Sequence, residues 1–511
     1  MARTACYGVI SALRRKARAR PTQVHLLLCA LGLAALVLVG ECLLLSRRRI
    51  PDYYTRVVLD ERENFYPPYV LASNWAHDVD RAQLLHLNRL HEACLNSTAS
   101  VIPWTYGLDA HAMRHKDLIH PDDPHLLEKM RQCPDVDVFM PEGLRRSRGY
   151  CEDATAYTKY LEARMLPEWA VAMNYTDATT GAMLSYHDLC PRTPMLFFNH
   201  YWNSVPDAPT WPATKPLYLM PNIEMYELTP EHYWRADVVL CKTAICARRV
   251  KLWYEQQGNP RHTKVVYTRH TTSDVATLAR HEFGDDALTP KNWSDVHFIH
   301  AAGTSVQKGT KQVLDCWVRR RDFPPLEIYV NESIYTSQLK PQYERRLNHS
   351  RVHFHVGITG TLEFSKLIAE SAFSLCTSVQ EGYGHYINQA RASGTLIVST
   401  DLPPMNELLT PESAVLIPVK RFSFYKQLLG GVYPKDHGLK EVHGLVAALG
   451  GNGICQAVEK VLAMSPLERE AMARRAKQQY FIDLNFFAFK MKEVRKLARE
   501  TTMRLRSDVG A

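Results

Sequence analysis

Residues 373–400 have the sequence FSLCTSVQEGYGHYINQARASGTLIVST, and this stretch decides the expected fold. Two apolar runs of strand length, Phe373–Cys376 and Thr395–Ser399, flank a more polar segment. Tyr386–Ser393 is long enough for two helical turns, and Gly394 follows it as a helix-ending residue. The pattern predicts two parallel strands joined by a right-handed helical crossover, which is typical of α/β proteins.

The glycine turn after the first of these strands is the expected ligand site. Gly382 and Gly384 lie at the carboxyl end of that strand, where an open α/β sheet binds its ligand. Glycine lets the backbone approach a ligand closely, and free N–H groups at a helix start attract an anion. Glu381 begins the turn, and Gln389 lies eight residues later on the helix. Taken alone, the turn also fits any Rossmann-like unit of this kind.

The segment Glu381-Gly-Tyr-Gly, followed by Gln389 and Glu407, resembles the donor-site motif of retaining GT-B glycosyltransferases of the family 4 type. The resemblance extends over residues 194–487 and is specific in residues 301–417. It implies two Rossmann-like domains that face a central cleft. It also implies retaining transfer of a sugar from a UDP- or GDP-linked donor. In that family two glutamates eight positions apart flank the nucleotide sugar, and Gln389 stands at the second position here.

The resemblance implies roles for several residues of the second domain. Gly303 and Lys308 match the family's first turn of the nucleotide domain, so Lys308 is the expected cation for the leaving diphosphate. The family often carries an arginine where Thr304 stands, so phosphate neutralisation is expected to be weaker or supplied from elsewhere. Glu381 is expected near the hydroxyls of the donor sugar, and Gln389 near the ribose.

Further candidates lie at strand ends. His200, after the strand Met195–Phe198, resembles a family histidine that faces the transferred sugar from the first domain. Glu407 belongs to the same donor motif as the glycine turn. Glu224 and Arg269 also end strands that face the cleft, and their roles stay open.

Simpler interpretations stay open for three of these residues. Lys308 also fits a solvated lysine at a helix start, Glu381 a helix cap, and His200 a polar strand end. Metal binding is not indicated, because the chain has no Cys-x-x-Cys, His-Glu-x-x-His or EF-hand motif. Residues 78–80 and 135–137 match the Asp-x-Asp motif of the other glycosyltransferase fold, but neither follows a buried strand.

The net charge of +9 comes from the N-terminus and does not indicate nucleic-acid binding. Residues 1–49 hold nine Lys or Arg and one acidic residue, so the rest of the chain carries +1. Val24–Leu45 is a mostly apolar run long enough to span a bilayer. More arginines precede this run than follow it, which predicts a cytoplasmic N-terminus. A cleaved signal peptide is the alternative, but its apolar region would be shorter.

Cysteines and glycosylation sequons are typical of the secretory lumen. All five N-x-Ser/Thr sequons follow the apolar run: Asn96, Asn174, Asn292, Asn331 and Asn348. The expected disulfide partners are Cys94, Cys133, Cys151 and Cys190. Three cysteines in apolar runs are expected to be buried free thiols: Cys241, Cys316 and Cys376. Nine cysteines follow the run, so at least one is unpaired or pairs between chains.

Alternating strands and helices from Pro194 onward predict parallel sheets covered on both faces. The expected segments are a basic tail (1–23), an anchor (24–45), a stem (46–75), a first domain (76–275), a nucleotide-sugar-binding domain (290–465) and C-terminal helices that cross back to the first domain (466–511). The α/β pattern is lost over 272–292, which predicts the interdomain linker. Helices are predicted over 154–166, 467–480 and 486–503.

These observations predict a retaining glycosyltransferase anchored in the Golgi or ER membrane as a single-pass type II protein. Its partners would be a nucleotide-sugar donor and a glycan, glycoprotein or lipid acceptor, with no obligatory metal. The alternative is a catalytically silent glycan-binding or scaffold protein on the same fold, because Thr304 and Gln389 depart from the family pattern.

Overall fold

The computed structural model describes residues 28–40, 80–108, 117–348, 350–422, 427–430 and 437–507. The chain divides into two compact units, Met1–Arg62 and Glu63–Ala511. Both parallel sheets and the candidate site belong to the second unit.

The predicted membrane anchor is described only over residues 28–40. This stretch is helical, and its leucine and valine side chains are exposed. The predicted tail (1–23) and stem (46–75) lie outside the described residues. Within the described part of the chain, no helix has both the length and the apolar character needed to cross a membrane.

The first parallel sheet is built from residues 102–267. Its strands are β1 (Ile102–Pro103), β2 (Asp137–Phe139), β3 (Arg164–Leu166), β6 (Met195–Phe198), β7 (Leu217–Met220), β8 (Val238–Cys241) and β9 (Lys264–Tyr267), while β4 (Asn174–Thr176) and β5 (Met183–Ser185) form a separate antiparallel pair. The order is β1-β3-β2-β6-β7-β8-β9, and only β1 runs antiparallel to its neighbour. The central strands are buried along their whole length, which explains why they are continuously apolar.

The second sheet is built from residues 298–418 and is entirely parallel. Its strands are β10 (Phe298–Gly303), β11 (Leu326–Val330), β12 (Val352–Val356), β13 (Phe373–Cys376), β14 (Leu396–Asp401) and β15 (Ala414–Pro418). They are ordered β12-β11-β10-β13-β14-β15, and a small antiparallel pair follows, β16 (Lys420–Phe422) and β17 (Val446–Ala448). The predicted α/β class with two Rossmann-like sheets is confirmed.

The opening stretch folds as expected. β13 and β14 are parallel, with Phe373 opposite Leu396, and the helix His385–Ser393 connects them. Gly394 ends this helix in the left-handed conformation at φ 66°, and its N–H donates to the carbonyl of Arg391. A side chain with a Cβ rarely adopts that conformation, so the glycine sets the helix end.

Helices cover both sheets and connect them. They are Arg81–Asn96, Leu126–Met130, Arg148–Tyr160, Glu168–Ala172, Tyr186–Leu189, Pro230–Arg235, Ala244–Gln257, Val275–Phe283, Thr310–Arg319, Glu332–Ile334, Lys340–Tyr343, Thr361–Glu370, His385–Ser393, Gly451–Ala463 and Pro466–Ser507. The last helix packs Met472 and Ala473 into the core of the second sheet. Further along, its Phe487 and Met491 belong to the core of the first sheet.

Two predicted segments are wrong in detail. The helix predicted over 154–166 is Arg148–Tyr160, and the chain then turns at Glu162 (φ 51°) into strand β3. The two predicted C-terminal helices are one helix, Pro466–Ser507, in which Asp483 is buried and ion-paired. The segment predicted as the linker, 272–292, contains the helix Val275–Phe283, whose first turn is capped by the side chain of Asp274.

The cysteine predictions are partly wrong. Four disulfides link Cys94 to Cys151, Cys133 to Cys190, Cys241 to Cys246, and Cys316 to Cys455. The first two use the expected partners, and Cys376 is a buried free thiol as predicted. Cys241 and Cys316 are paired instead of free. Burial in an apolar run does not exclude a disulfide when the fold brings a second cysteine alongside, as the helix Gly451–Ala463 does for Cys316.

Candidate functional site

A cavity of about 780 Å³ lies at the carboxyl ends of β10 to β13. The wall on the side of the second sheet includes residues 301–305, 329–331 and 357–359, which end or follow β10, β11 and β12. The opposite wall includes residues 146–149, from the loop after β2 and the start of the next helix. Open α/β sheets bind ligands at the carboxyl ends of their strands, so this cavity is the candidate site.

Lys308 and Glu381 form an ion pair in the cavity wall. Their side chains are only 17% and 14% exposed. The Lys308 Nζ atom lies 3.8 Å from the centre of the Tyr386 ring, and the Ser378 hydroxyl donates to the Glu381 carboxylate. The turns after β10 and β13 therefore present one cation and one carboxylate side by side. Such a pair can contact both a phosphate and the hydroxyls of a sugar.

The predicted glycines occupy positions that few other residues tolerate. Gly303 lies in the cavity wall. Gly384 precedes the helix His385–Ser393 with φ 105°, a conformation that favours glycine. Gly382 is constrained by its neighbours, since a Cβ there would lie 2.7 Å from Asn222 Oδ1 and still closer to Glu224 Oε1. The turn thus packs directly against residues that follow β7 of the first sheet.

Gln389 lies in the cavity wall and contacts the carboxylate of Glu152, which belongs to the helix Arg148–Tyr160 beside the first sheet. Its Nε2 atom donates to Glu152 Oε1 at 3.0 Å. Glu152 is buried and also accepts a hydrogen bond of 2.9 Å from the backbone N–H of Ser273. Burial alone would raise the pKa of Glu152, but the nearby His91 and His385 imidazoles and the Ser273 hydrogen bonds lower it below its usual range. An ionised carboxylate therefore stands beside the glutamine.

A second buried carboxylate, Asp153, organises two histidines. Lys242 Nζ lies 2.9 Å from both of its oxygens. His270 Nε2 and His385 Nε2 lie 2.9 and 3.0 Å from Oδ1, and His385 lines the cavity. Burial opposes ionisation, but the charge of Lys242 holds the pKa of Asp153 well below its usual range. Burial lowers the pKa of His270 to about 4, which keeps this imidazole neutral.

The side chains of Asp153, His270 and His385 are close enough together to hold a metal ion. Lys242 already occupies both oxygens of Asp153 and places a positive charge next to any ion bound there. That arrangement disfavours a cation, because Coulomb repulsion is strong in a buried, low-dielectric environment.

Four predicted site residues do not line the cavity: Gly382 and Gly384, which belong to the turn beside Glu381, and Glu407 and His200. Glu407 is buried, and its carboxylate accepts hydrogen bonds of 2.6 and 2.8 Å from the N–H groups of Ala244 and Ile245. It thereby caps the helix that follows β8, and burial raises the pKa of its carboxyl. His200 packs against Tyr201 with ring centres 4.1 Å apart and planes tilted by 34°, and burial lowers the pKa of His200.

The roles of Glu224 and Arg269 were left open by the sequence. Both contribute to contacts between the part of the fold built on the first sheet and the part built on the second sheet. The Glu224 carboxylate faces the glycine turn at Gly382, and burial raises its pKa to about 7. The Arg269 guanidinium forms a buried ion pair with Asp483 of the last helix.

Glu152 and Asp153 are not among the site residues predicted from the sequence. The helix was predicted to begin at Ala154, two residues after Glu152, so its polar first turns were not considered. The available signal was a strand, followed by a loop with glycine and arginine and then by two adjacent acidic residues at a helix start. Both residues are buried because their helix packs against the segment 270–274 and the helix His385–Ser393. The local sequence does not show these contacts.

No family model matches this sequence, and no curated protein matches it. Many solved structures are similar to the chain, and three of them are described here. Anabaena HepE, in complex with UDP and glucose, is 16% identical with a TM-score of 0.39, covering 58% of this chain and 77% of that chain. A sucrose-phosphate synthase from Thermosynechococcus elongatus is 11% identical with a TM-score of 0.42, covering 66% and 83%. A trehalose 6-phosphate synthase from Burkholderia multivorans is 11% identical with a TM-score of 0.45, covering 71% and 77%.

Proposed function

We propose that the protein is a retaining glycosyltransferase of the GT-B type that uses a nucleotide-sugar donor, UDP- or GDP-linked. The observation that carries this proposal is the Lys308–Glu381 pair, held by two turns in the wall of the cavity at the carboxyl ends of a parallel sheet. Transfer from a nucleotide sugar requires a preorganised cation for the leaving diphosphate and hydrogen-bond acceptors for the sugar. This pair offers both groups side by side, because Lys308 is the cation and the Glu381 carboxylate is the acceptor.

In this proposal the donor lies along the wall formed by the second sheet. Lys308 and the N–H groups after Gly303 and at the start of the helix His385–Ser393 bind the diphosphate, with no obligatory metal. Glu381 binds hydroxyls of the sugar. The ribose lies near Gln389, whose neighbour Glu152 is 3.0 Å away and supplies a carboxylate from the opposite wall. A glycan, glycoprotein or lipid acceptor enters along the wall containing residues 146–149.

A catalytically silent glycan-binding or scaffold protein is the second candidate. It is favoured by the same contacts, because Lys308 is already neutralised by Glu381 and Gln389 already donates to Glu152. A donor must compete with these internal partners, and Thr304 adds no charge to help it.

The two candidates differ in donor binding and turnover. We expect UDP or GDP, and one of their sugars, to raise the melting temperature of the full chain purified in detergent, since a ligand that binds only the folded state stabilises it. We also expect slow release of free sugar from that donor, because water can replace the acceptor. ADP and CMP serve as controls. Binding without sugar release would favour the silent protein, and no response to any nucleotide would contradict both the donor site and the proposed function.

We also propose that the chain is a single-pass type II protein whose larger part lies in the Golgi or ER lumen. The apolar run 24–45 and the preceding arginines support this topology. Four disulfides fit an oxidising compartment. The sequon residues Asn96, Asn174, Asn292 and Asn348 are exposed, so they are accessible to glycosylation.

In sealed microsomes, we expect added protease to leave the bulk of the chain intact and to degrade it once detergent is present. Glycosidase treatment should increase its gel mobility. Asn331 is an internal control, because it is half-buried in the cavity wall and its side chain accepts a hydrogen bond of 2.9 Å from the N–H of Ser333. We expect Asn331→Gln to leave the mobility unchanged and Asn292→Gln to alter it. Complete digestion without detergent would contradict the topology.

A further inference from the structure

Two arginines line the cavity wall that lies opposite the second sheet. Arg146 ends the short turn after β2, and Arg148 begins the next helix. Both residues are exposed. The Nη2 atom of Arg148 donates to the carbonyl of Thr359 at 2.9 Å. Thr359 follows β12 and lines the wall on the side of the second sheet, so one of the two guanidinium groups already contacts that wall.

The charges around the cavity leave both arginines available to an anion. In the described part of the chain, no carboxylate forms an ion pair with Arg146 or Arg148, although three acidic residues line the same cavity: Glu92, Glu152 and Glu381. Lys308, on the wall of the second sheet, is already paired with Glu381. The Glu152 carboxylate accepts its hydrogen bonds from Gln389 and Ser273. The lysine and arginine charges of the described cavity wall that are not ion-paired therefore lie opposite Lys308.

A buried arginine holds this loop in place. The side chain of Arg145 is 0% exposed, in contrast to its neighbour Arg146. It donates four hydrogen bonds of 2.7–3.3 Å to backbone carbonyls of the surrounding chain: Ser97, Ser100, Met140 and Met165. The loop that carries the two exposed arginines is therefore fixed at its base, and groups held in position before binding stabilise charge most effectively.

The wall formed by the second sheet offers little charge of its own to a diphosphate. Lys308 shares its charge with Glu381, and Thr304, which lines the cavity beside Gly303, is neutral. A diphosphate carries several negative charges, which one partly neutralised lysine does not offset. Arginine suits such a ligand, because its guanidinium group presents two parallel N–H groups to phosphate oxygens.

We propose that Arg146 and Arg148 bind the diphosphate of the donor from the wall opposite Lys308. The diphosphate then lies between one lysine and two arginines, and its charge is shared by both walls of the cavity. This inference rests on the proposed function, since it takes a nucleotide sugar as the donor. It adds two donor-binding residues, and it assigns them to the part of the fold built on the first sheet.

The test is calorimetric titration of UDP and GDP into the full chain, purified in detergent. For the nucleotide that the wild type binds, Arg146→Ala and Arg148→Ala should each weaken the affinity at least about tenfold, because hydrogen bonds to charged groups are strong. Arg146→Lys should weaken it less, since lysine keeps the charge and loses the paired N–H geometry. Both arginines are exposed, so the melting temperature of each ligand-free variant should stay close to that of the wild type.

Arg321→Ala is the matched control, because Arg321 is also exposed and does not line the cavity. It should bind the nucleotide as the wild type does. Thr304→Arg gives a readout that is specific to phosphate binding, since it places a guanidinium group on the same wall as Lys308. Added to the double variant Arg146→Ala/Arg148→Ala, it should strengthen nucleotide binding at least about tenfold. Thr304 is exposed, so the longer side chain has room.

Wild-type nucleotide affinity in both alanine variants would overturn this inference and leave the donor site intact. A loss of affinity that Thr304→Arg does not restore would also overturn it, because the arginines would then support the shape of the site and not its charge. Loss of transfer to an acceptor at unchanged nucleotide affinity would assign the arginines to an anionic acceptor instead. If the wild type binds neither UDP nor GDP, the proposed function is wrong, and this inference is wrong with it.

Discussion

Replacing Lys308 with alanine is expected to lower the turnover of the nucleotide sugar by roughly 100- to 1000-fold. This is the usual effect of removing one preorganised group at developing charge, about 2.7–4 kcal/mol. The Lys308 ammonium is largely buried between Glu381 and the Tyr386 ring, so it is held in place before a donor binds. The measurement is the rate of sugar release, or of transfer once an acceptor is known, by the purified and folded variant.

Lys311→Ala is the matched control, because it removes a lysine three residues away, in the first turn of the helix Thr310–Arg319, that does not line the cavity. It should retain wild-type turnover. Glu381→Gln separates the two roles of the pair: removing its charge frees Lys308 for the diphosphate, so nucleotide binding should be retained or tightened while turnover falls at least about tenfold. Wild-type rates in folded Lys308→Ala and Glu381→Gln would show that the catalytic site lies elsewhere.

Replacing Asp483 with asparagine is expected to lower the free energy of unfolding by about 3–5 kcal/mol. The Asp483 carboxylate is 1% exposed and pairs with both Arg269 and Arg391, which are 3% and 0% exposed. Asparagine keeps the volume but removes the charge, which leaves two buried guanidinium groups without this counter-ion. Removing one partner of a buried pair is far more destabilising than losing an exposed pair. The measurement is the shift of the chemical denaturation midpoint.

Glu493→Gln provides the comparison on the same helix. Glu493 is 49% exposed, and its carboxylate lies 2.7 Å from Lys490 Nζ. Lys490 is 13% exposed, but the Glu493 carboxylate is open to water, and surface pairs contribute about 0–1 kcal/mol, so this variant should unfold close to the wild-type midpoint. Equal shifts of the denaturation midpoint in Asp483→Asn and Glu493→Gln would contradict the view that Asp483 joins the parts of the fold built on the two sheets through a buried charge network.

Much of the second sheet was predictable from the sequence, because its signals are local. The apolar run Phe373–Cys376 is a strand with the predicted bounds. Gly394 ends its helix where expected. A short apolar run bounded by turn residues favours a buried strand, and a glycine at a helix end needs no distant partner to adopt its conformation. The presence of both sheets follows from the same local pattern.

Contacts between distant residues were decided by the tertiary structure alone. The motif suggested separate roles for Lys308 and Glu381, yet packing of β10 beside β13 makes them partners. Glu407 belongs to the same motif, but it caps a helix of the first half. Gln389 is opposite Glu152, a residue that the sequence analysis had not considered. Local periodicity carries no information about which charged side chains two packed halves bring within hydrogen-bonding distance.

The cysteines and the last helix illustrate the same limit. Cys316 and Cys455 are 139 residues apart, so only the packing of two helices could make them a disulfide. Asp483 lies in the gap between the two predicted helices, 467–480 and 486–503. Its burial within one continuous helix is stabilised by Arg269 and Arg391, which approach it from the parts of the fold built on the first and the second sheet. The backbone pattern is thus encoded locally, whereas the pairing of buried charges and of cysteines depends on how the packed elements meet.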